Sequence, residues 1–228
     1  PRRTCWPSDK SSPVIDLRHA DCMDYLATCE DNAFELAIVD PPYGIGESGE
    51  TNHTRGKLAK PKKYKAFAGG DKSAPSEQYF AELERVSKNQ ILWGANHYRA
   101  RESSAWIVWD KLNAGTHFAD AELAYTSFKK AVRVFRFRWN GMLQGDMKNK
   151  EERIHPTQKP VKLYEWLLMN YAKEGDRILD THLGSGSIAI ACHNLGFDLV
   201  GCELDEDYLN AARKRLQQHQ TQLRIPVS

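Results

Sequence analysis

An α/β domain built on a mostly parallel central sheet is the fold class this sequence predicts. Strand-like and helix-like segments alternate at both ends of the chain, which is the pattern of a sheet covered by helices. The size, 228 residues, suits one domain of ordinary dimensions with a sizeable core. Hydrophobic residues make up 41% and charged residues 27%, the balance of a folded soluble protein. No run approaches the roughly 18 apolar residues of a membrane span, and the first residues lack the apolar stretch of a secretory leader. A net charge of +2 excludes a bulk polybasic or acidic tail, so any nucleic-acid contact must come from local patches.

The elements follow in order. Residues 14–17 read as a short strand, and 21–29 as a short helix with Met23, Leu26 and Ala27 at helical spacing. Residues 34–39 are a buried-type strand that stops at Asp40-Pro41-Pro42-Tyr43, because two successive prolines cannot continue a ladder. Residues 44–76 have no apolar period. They carry six glycines, and between Thr51 and Lys72 there are seven Lys/Arg against one acid. Ser76 caps a helix that buries Tyr79, Phe80, Leu83 and Val86. Strands are expected at 90–93, 106–109, 122–126 and 132–139. The last alternates, with Arg133, Phe135, Phe137 and Trp139 on one face and Val134, Arg136 and Arg138 on the other. A helix at 161–172, a strand at 177–180, a helix at 187–195, a strand at 198–202 and a closing helix at 205–218 capped by Asp205 complete the chain. The expected organisation is an extension (1–13) and a single domain (14–228). Its first half runs to 139, a connector spans 140–154, and the second half covers 155–228.

Two constellations carry chemistry. In the second half a strand ends at Asp180, a glycine turn follows, and a helix begins. Gly184, Gly186 and Ala189 fit Gly-x-Gly-x-x-Gly/Ala, and Glu203 stands 19 residues after Gly184 at the tip of the next strand. Glycines let the backbone approach a ligand, and an acid at that tip can accept from ribose hydroxyls. This points to an adenosine-containing cofactor and leaves a dinucleotide and S-adenosylmethionine both open. A second literal match, Gly44 to Gly49, has no helix after it and is set aside. In the first half, Asp40-Pro41-Pro42-Tyr43 offers a carboxylate and a proline-fixed carbonyl that could accept both hydrogens of a nucleobase amine, while Tyr43 could stack on the base. The five cysteines, Cys5, Cys22, Cys29, Cys192 and Cys202, are odd in number and lack Cys-x-x-Cys spacing. Neither a disulfide framework nor a metal site is expected, and a reducing cytoplasmic compartment is the default.

Together these residues resemble the amino-methyltransferases that methylate adenine N6 or cytosine N4 in DNA. Asp40, Pro41, Pro42 and Tyr43 are similar to that family's catalytic motif, and Asp180 to Ser187 to its S-adenosylmethionine loop. His155-Pro156-Thr157-Gln158-Lys159-Pro160 resembles a block that precedes the loop in one subgroup, and His19-Ala20-Asp21-Cys22 the segment that opens such proteins. The motif order is that of the permuted, or β, arrangement. The resemblance implies a Rossmann-like S-adenosylmethionine-dependent methyltransferase fold, with Asp40 and Asp180 at the ends of neighbouring strands. It assigns cofactor contacts to Asp21, Cys22, Asp40, His155, Thr157, Gln158, Lys159, Asp180, His182, Leu183, Gly184, Ser185, Gly186, Ser187, Glu203 and Leu204. Thr181 and His182 depart from the family's usual Pro and Phe, and Ala20 from its usual Gly. The family's cytosine-N4 enzymes more often have Ser where Asp40 stands, so the resemblance favours adenine N6.

No separate recognition domain fits between Trp139 and His155, so recognition is expected from loops. Arg55, Lys57, Lys60, Lys62, Lys63 and Lys65 in the basic loop, and Arg136 and Arg138 on the alternating strand, are the candidates for phosphate contacts. Solvation of the loop and charge protection of an edge strand would explain the same residues. DNA is the implied macromolecular partner. A homodimer and a cognate restriction endonuclease are compatible with the resemblance, and a membrane is not implied.

Overall fold

The structure is a computed structural model that describes residues 12–45, 73–98, 102–116, 119–140 and 143–222. Ten strands and five α-helices follow one another among them. They are β1 (Ile15–His19), α1 (Cys22–Ala27), β2 (Leu36–Val39), α2 (Glu77–Val86), β3 (Gln90–Trp93), β4 (Ile107–Asp110), β5 (Ala121–Thr126), β6 (Arg133–Arg136), β7 (Trp139–Asn140), β8 (Leu143–Gln144), α3 (Val161–Tyr171), β9 (Arg177–Asp180), α4 (Ser187–Leu195), β10 (Asp198–Glu203) and α5 (Glu206–Gln222).

Eight strands form one sheet in the order β1-β10-β9-β2-β3-β5-β4-β6. The first five are parallel, β5 runs antiparallel between β3 and β4, and β6 is parallel to β4. The expected α/β architecture is therefore present. The central strands read as continuous apolar runs because both sheet faces are covered. Leu36 and Ile38 of β2 point to the layer that contains Leu163, Leu167, Ile188 and Leu209 of α3, α4 and α5. Ala37 and Val39 point to the opposite layer, with Leu26 of α1 and Tyr79, Leu83 and Val86 of α2. Each fully buried Leu or Ile contributes about 1.5–3 kcal/mol relative to exposure, so this two-sided burial sets the register of β2 and β9.

That register places the two chemical motifs side by side. Ala37 pairs with Leu179, so the carboxyl ends of β2 and β9 are adjacent and deliver Asp40 and Asp180 to one end of the sheet. Two seams along, β1 pairs with β10 through His19 opposite Glu203, bringing the Asp21-Cys22 turn to the same end. Gly201 of β10 has a packing reason: a Cβ there would lie 2.9 Å from Leu183 Cδ1 and 3.2 Å from Leu17 Cδ2.

The caps read from the sequence form. Ser76 Oγ accepts from Tyr79 N at 3.3 Å, and Asp205 Oδ1 accepts from Asp207 N at 2.9 Å. One expected element is divided. Residues 132–139 are not a single strand: β6 ends at Arg136, and Trp139–Asn140 pairs instead with Leu143–Gln144. The Trp139 indole donates to the Gln158 carbonyl at 2.7 Å, which ties this segment to the chain before α3 and draws it off the sheet edge. The expected face alternation holds from Val134 onward, with Phe135, Phe137 and Trp139 inward and Val134, Arg136 and Arg138 exposed; Arg133, at the start of β6, is exposed as well. The basic loop candidates Arg55, Lys57, Lys60, Lys62, Lys63 and Lys65 lie outside the described residues. Among those described, no helix is long and apolar enough to cross a membrane, and Cys22, Cys29, Cys192 and Cys202 are free thiols.

Candidate active site

The Asp40-Pro41-Pro42-Tyr43 turn is held by hydrogen bonds that use its own acceptors. Tyr43 Oη donates to Asp40 Oδ1 at 2.7 Å. Tyr98, just past a 3-10 turn at Ala95–His97, directs its hydroxyl to the carbonyls of Pro41 and Pro42, 2.9 Å from each. The prolines remove competing N–H groups, so both carbonyls stay directed at donors. Tyr43 stacks on His97, with ring centroids 5.0 Å apart and planes 12° from parallel, and meets Tyr98 edge-on. The turn before His97 depends on Gly94. Its φ of 69° favours glycine, and a Cβ there would lie 2.1 Å from the Tyr43 ring.

Lys159 reaches the same turn from the segment before α3. Its ammonium lies 2.5 Å from Asp40 Oδ2, 3.2 Å from Glu122 Oε2 and 3.3 Å from Tyr43 Oη, and its side chain is only 3% exposed. Burial alone would lower its pKa. The facing carboxylates of Asp40 and Glu122 outweigh that and raise its pKa. Glu122, on β5, is pushed up by burial, but Lys159 and Lys111 prevail and hold its carboxyl at about 2. Sequence reasoning assigned no role to Glu122, Lys111 or Tyr98, because nothing local distinguishes them from ordinary strand and loop residues.

The glycine turn after β9 forms the second half of the site. Glu203 Oε2 accepts from Gly184 N at 2.7 Å, and its Oε1 from Asp205 N at 3.0 Å. Each oxygen retains a further lone pair, so the carboxylate can shape the loop and also accept from a ligand hydroxyl. Gly184 has φ 52°, and a Cβ there would meet the His155 ring at an ordinary contact distance of 3.9 Å. Gly186 instead answers to packing, since a Cβ there would lie 2.9 Å from Ala212. Asp180 accepts from His182 N at 3.0 Å and is buried. Burial, with Asp40 and Glu203 adding repulsion, lifts its carboxyl to about 8.

The other expected cofactor residues divide into two groups. Asp21 caps α1 through Met23 N at 2.7 Å, Cys22 follows it, and exposed Leu204 adjoins Glu203. His155 packs against Tyr208 and accepts at Nδ1 from the Thr157 hydroxyl. Of these, the His155 ring lies 3.9 Å from where a Cβ on Gly184 would stand, beside the glycine turn. Leu183 lies beneath it in the core, while Ser185 and Ser187 face α5, where Arg215 donates to Ser185 O and Ser187 Oγ at 2.9 Å each. Gln158 uses its side chain within the preceding segment, accepting from Ile154 N and donating to Glu152 O. Thr181 and His182 form a chain of their own. Tyr79 Oη meets Thr181 Oγ1 at 2.6 Å, and Thr181 Oγ1 meets His182 Nδ1 at 2.9 Å. Burial holds both His155 and His182 at about 4, so both are neutral at pH 7.

The donor set suits S-adenosylmethionine. Glu203 offers an acceptor for vicinal hydroxyls, and the carboxylate of Asp40 favours a nearby cationic group, while the buried Asp180, lifted to about 8, adds no full charge. Gly184 permits close approach, and Leu204 supplies an apolar face. The acid at the tip of β10 and the hydrogen-bond-accepting turn after β2 flank the glycine turn after β9 at the carboxyl end of a parallel sheet, the place where open α/β sheets bind ligands. The chain matches the DNA methylase family over residues 91–214, more than half its length, and belongs to it. It is thus a DNA methyltransferase whose methyl donor is S-adenosylmethionine. It is 27% identical to the type II methyltransferase M2.DpnII of Streptococcus pneumoniae, covering 88% of this chain and 89% of that protein. It is 26% identical to M.HpaI of Haemophilus parainfluenzae, covering 84% and 70%. Among solved structures, the M1.HpyAVI–SAM complex superposes with a TM-score of 0.54 at 21% identity, over 89% of this chain and 100% of that one. TTHA0409 of Thermus thermophilus, complexed with S-adenosyl-L-methionine, superposes at 0.51 with 16% identity, over 90% and 96%.

Proposed function

We propose that the protein methylates the exocyclic N6 amine of an adenine turned out of the DNA helix, with Asp40 and Pro41 as the acceptors that activate the amine. The amine lone pair is delocalised into the ring. Placing one hydrogen on Asp40 Oδ1 and the other on the Pro41 carbonyl draws the nitrogen toward tetrahedral geometry and frees the pair. The observation that carries this reading is that both acceptors hold hydroxyl donors, Tyr43 on Asp40 Oδ1 and Tyr98 on the Pro41 carbonyl. An incoming amine exchanges one donor set for another, and Tyr43, released from Asp40, is free to stack on the base. When bound, S-adenosylmethionine supplies the electrophilic methyl group. The methylated nitrogen sheds one proton, for which Asp40 is the adjacent base. On this reading Glu203 accepts from the ribose hydroxyls, while Asp21, Cys22, Leu204, His155, Thr157 and His182 surround the cofactor and Asp180 lies beneath it. Leu183, Ser185, Gly186 and Ser187 shape its loop. Exposed Arg136 and Arg138 meet phosphates. The similarity to type II enzymes makes a cognate restriction endonuclease the partner to seek, in the cytoplasm.

The test is methylation of mixed-sequence DNA with labelled S-adenosylmethionine, followed by nucleoside analysis. N6-methyladenine is the expected product, and N4-methylcytosine would overturn the substrate. Asp40→Asn should lower the rate by about 10²–10³ with cofactor affinity within a few-fold. Wild-type turnover by that variant would remove Asp40 from the mechanism.

A further inference from the structure

Four charged groups of alternating sign lead away from the acceptor turn. Asp40 ends β2, Lys159 precedes α3, Glu122 lies on β5, and Lys111 follows β4. Lys159 bridges the two carboxylates, and Lys111 pairs with Glu122 from the other side. The antiparallel register of β4 and β5, with Trp109 opposite Glu122, sets this spacing. Lys111 Nζ also lies 5.1 Å from the Trp109 ring centroid, and Lys159 Nζ lies 5.5 Å from that of Trp93. Trp93 and Trp109 are both fully buried and pack edge-on, so the cations rest on a rigid floor. Lys159 stands between Glu122 and Asp40.

We infer that Glu122 is a positioning residue for methyl transfer: by anchoring Lys159 it holds the ammonium on Asp40 Oδ2 and reserves Oδ1 for the target amine. The inference rests on the reading of Asp40 given above. Lys159 has three donors. With Glu122 charged, the ammonium is held by the ion pair to Oε2 while one N–H donates to Asp40 Oδ2. Without that charge the ammonium closes over both Asp40 oxygens and competes with the amine for Oδ1.

The experiment is single-turnover methyl transfer at saturating DNA and S-adenosylmethionine, which isolates the chemical step from binding. Active sites are counted by S-adenosylmethionine titration, so that misfolded protein does not enter the rate. Glu122→Gln should lower the rate constant about 10-fold, at the low end of the loss seen when hydrogen-bond partners that orient metal ligands are removed, with the cofactor Kd within two-fold. In a Lys159→Met background the same substitution should add no further loss, because Glu122 acts only through Lys159. If Glu122→Gln does not fold, Glu122→Asp carries the test. It keeps the charge one methylene further back, and a slowed rate at unchanged cofactor Kd is expected. A wild-type rate constant in either variant, or a second full loss in the Lys159→Met background, overturns the inference. Asp40→Asn is measured in parallel. If it transfers normally, the reading of Asp40 fails first. If it is inactive while Glu122→Gln is normal, the inference about Glu122 alone fails.

Discussion

Asp180 sits at the carboxyl end of a central strand, and its environment opposes its charge. Its carboxyl titrates at about 8, against 3.8 for an ordinary aspartate, chiefly because it is buried. The folded form therefore binds a proton that the unfolded chain has released. This contribution to stability is complete below pH 3.8 and declines until the pH passes about 8. His155 and His182 act in the opposite sense. Held at about 4 by burial, they favour the fold above their ordinary value of 6.5 and destabilise it as the pH falls through 4. Thermal melts of the wild type should thus show lower stability at pH 9 than at pH 6. Asp180→Asn should lose much of that decline, because its amide does not ionise. An equal decline in the variant would place the effect on other groups.

Two short elements position the reacting residues, and each depends on one residue that backbone sterics or hydrogen bonding makes hard to replace. The turn after β3 needs Gly94, whose left-handed φ would cost another residue about 1–2 kcal/mol and whose missing Cβ admits the Tyr43 ring. Gly94→Ala should displace Tyr43 and slow methyl transfer at least 10-fold, with S-adenosylmethionine affinity close to wild type. Single-turnover kinetics and calorimetry together check this. The glycine turn after β9 needs Glu203, which accepts from Gly184 N and Asp205 N as well as offering lone pairs to a ligand. Glu203→Ala should weaken cofactor binding by about 1–3 kcal/mol, since a buried N–H and the ligand hydroxyls all lose their acceptor. Unchanged affinity by calorimetry would make Glu203 a purely structural residue.

At the scale of the whole molecule, the sheet has an edge at β6 that presents Arg133, Arg136 and Arg138 to solvent. Arg136 Nε is 3.3 Å from Asp110, but with a side chain 71% exposed this pair is weak and can yield to a phosphate. Replacing Arg136 and Arg138 by Ala should reduce the log–log salt slope of DNA binding by about two units. Neutralising Lys60, Lys62, Lys63 and Lys65 tests the basic loop in the same assay, with an expected reduction of about four. A set that leaves the wild-type slope does not contact DNA.

Much of this protein was written locally. The strands and helices, the caps at Ser76 and Asp205, the glycine turn and the Asp40-Pro41-Pro42-Tyr43 turn all follow from periodicity, side-chain acceptors and the geometry of glycine and proline, which act over a few residues. The single strand expected at 132–139 was not present, because the Trp139 indole bonds to the carbonyl of Gln158, 19 residues away. The same limit explains what went unseen in the site. Tyr98 on the proline carbonyls, Arg215 behind the glycine turn, and Glu122 with Lys111 around Lys159 are joined by hydrogen bonds and ion pairs whose partners lie far apart in the chain. Local pattern names the groups that can do chemistry. The sheet order, which sets β2 beside β9 and β5 beside β3, decides which charges meet, because in a buried site each charge is stable only opposite its partner.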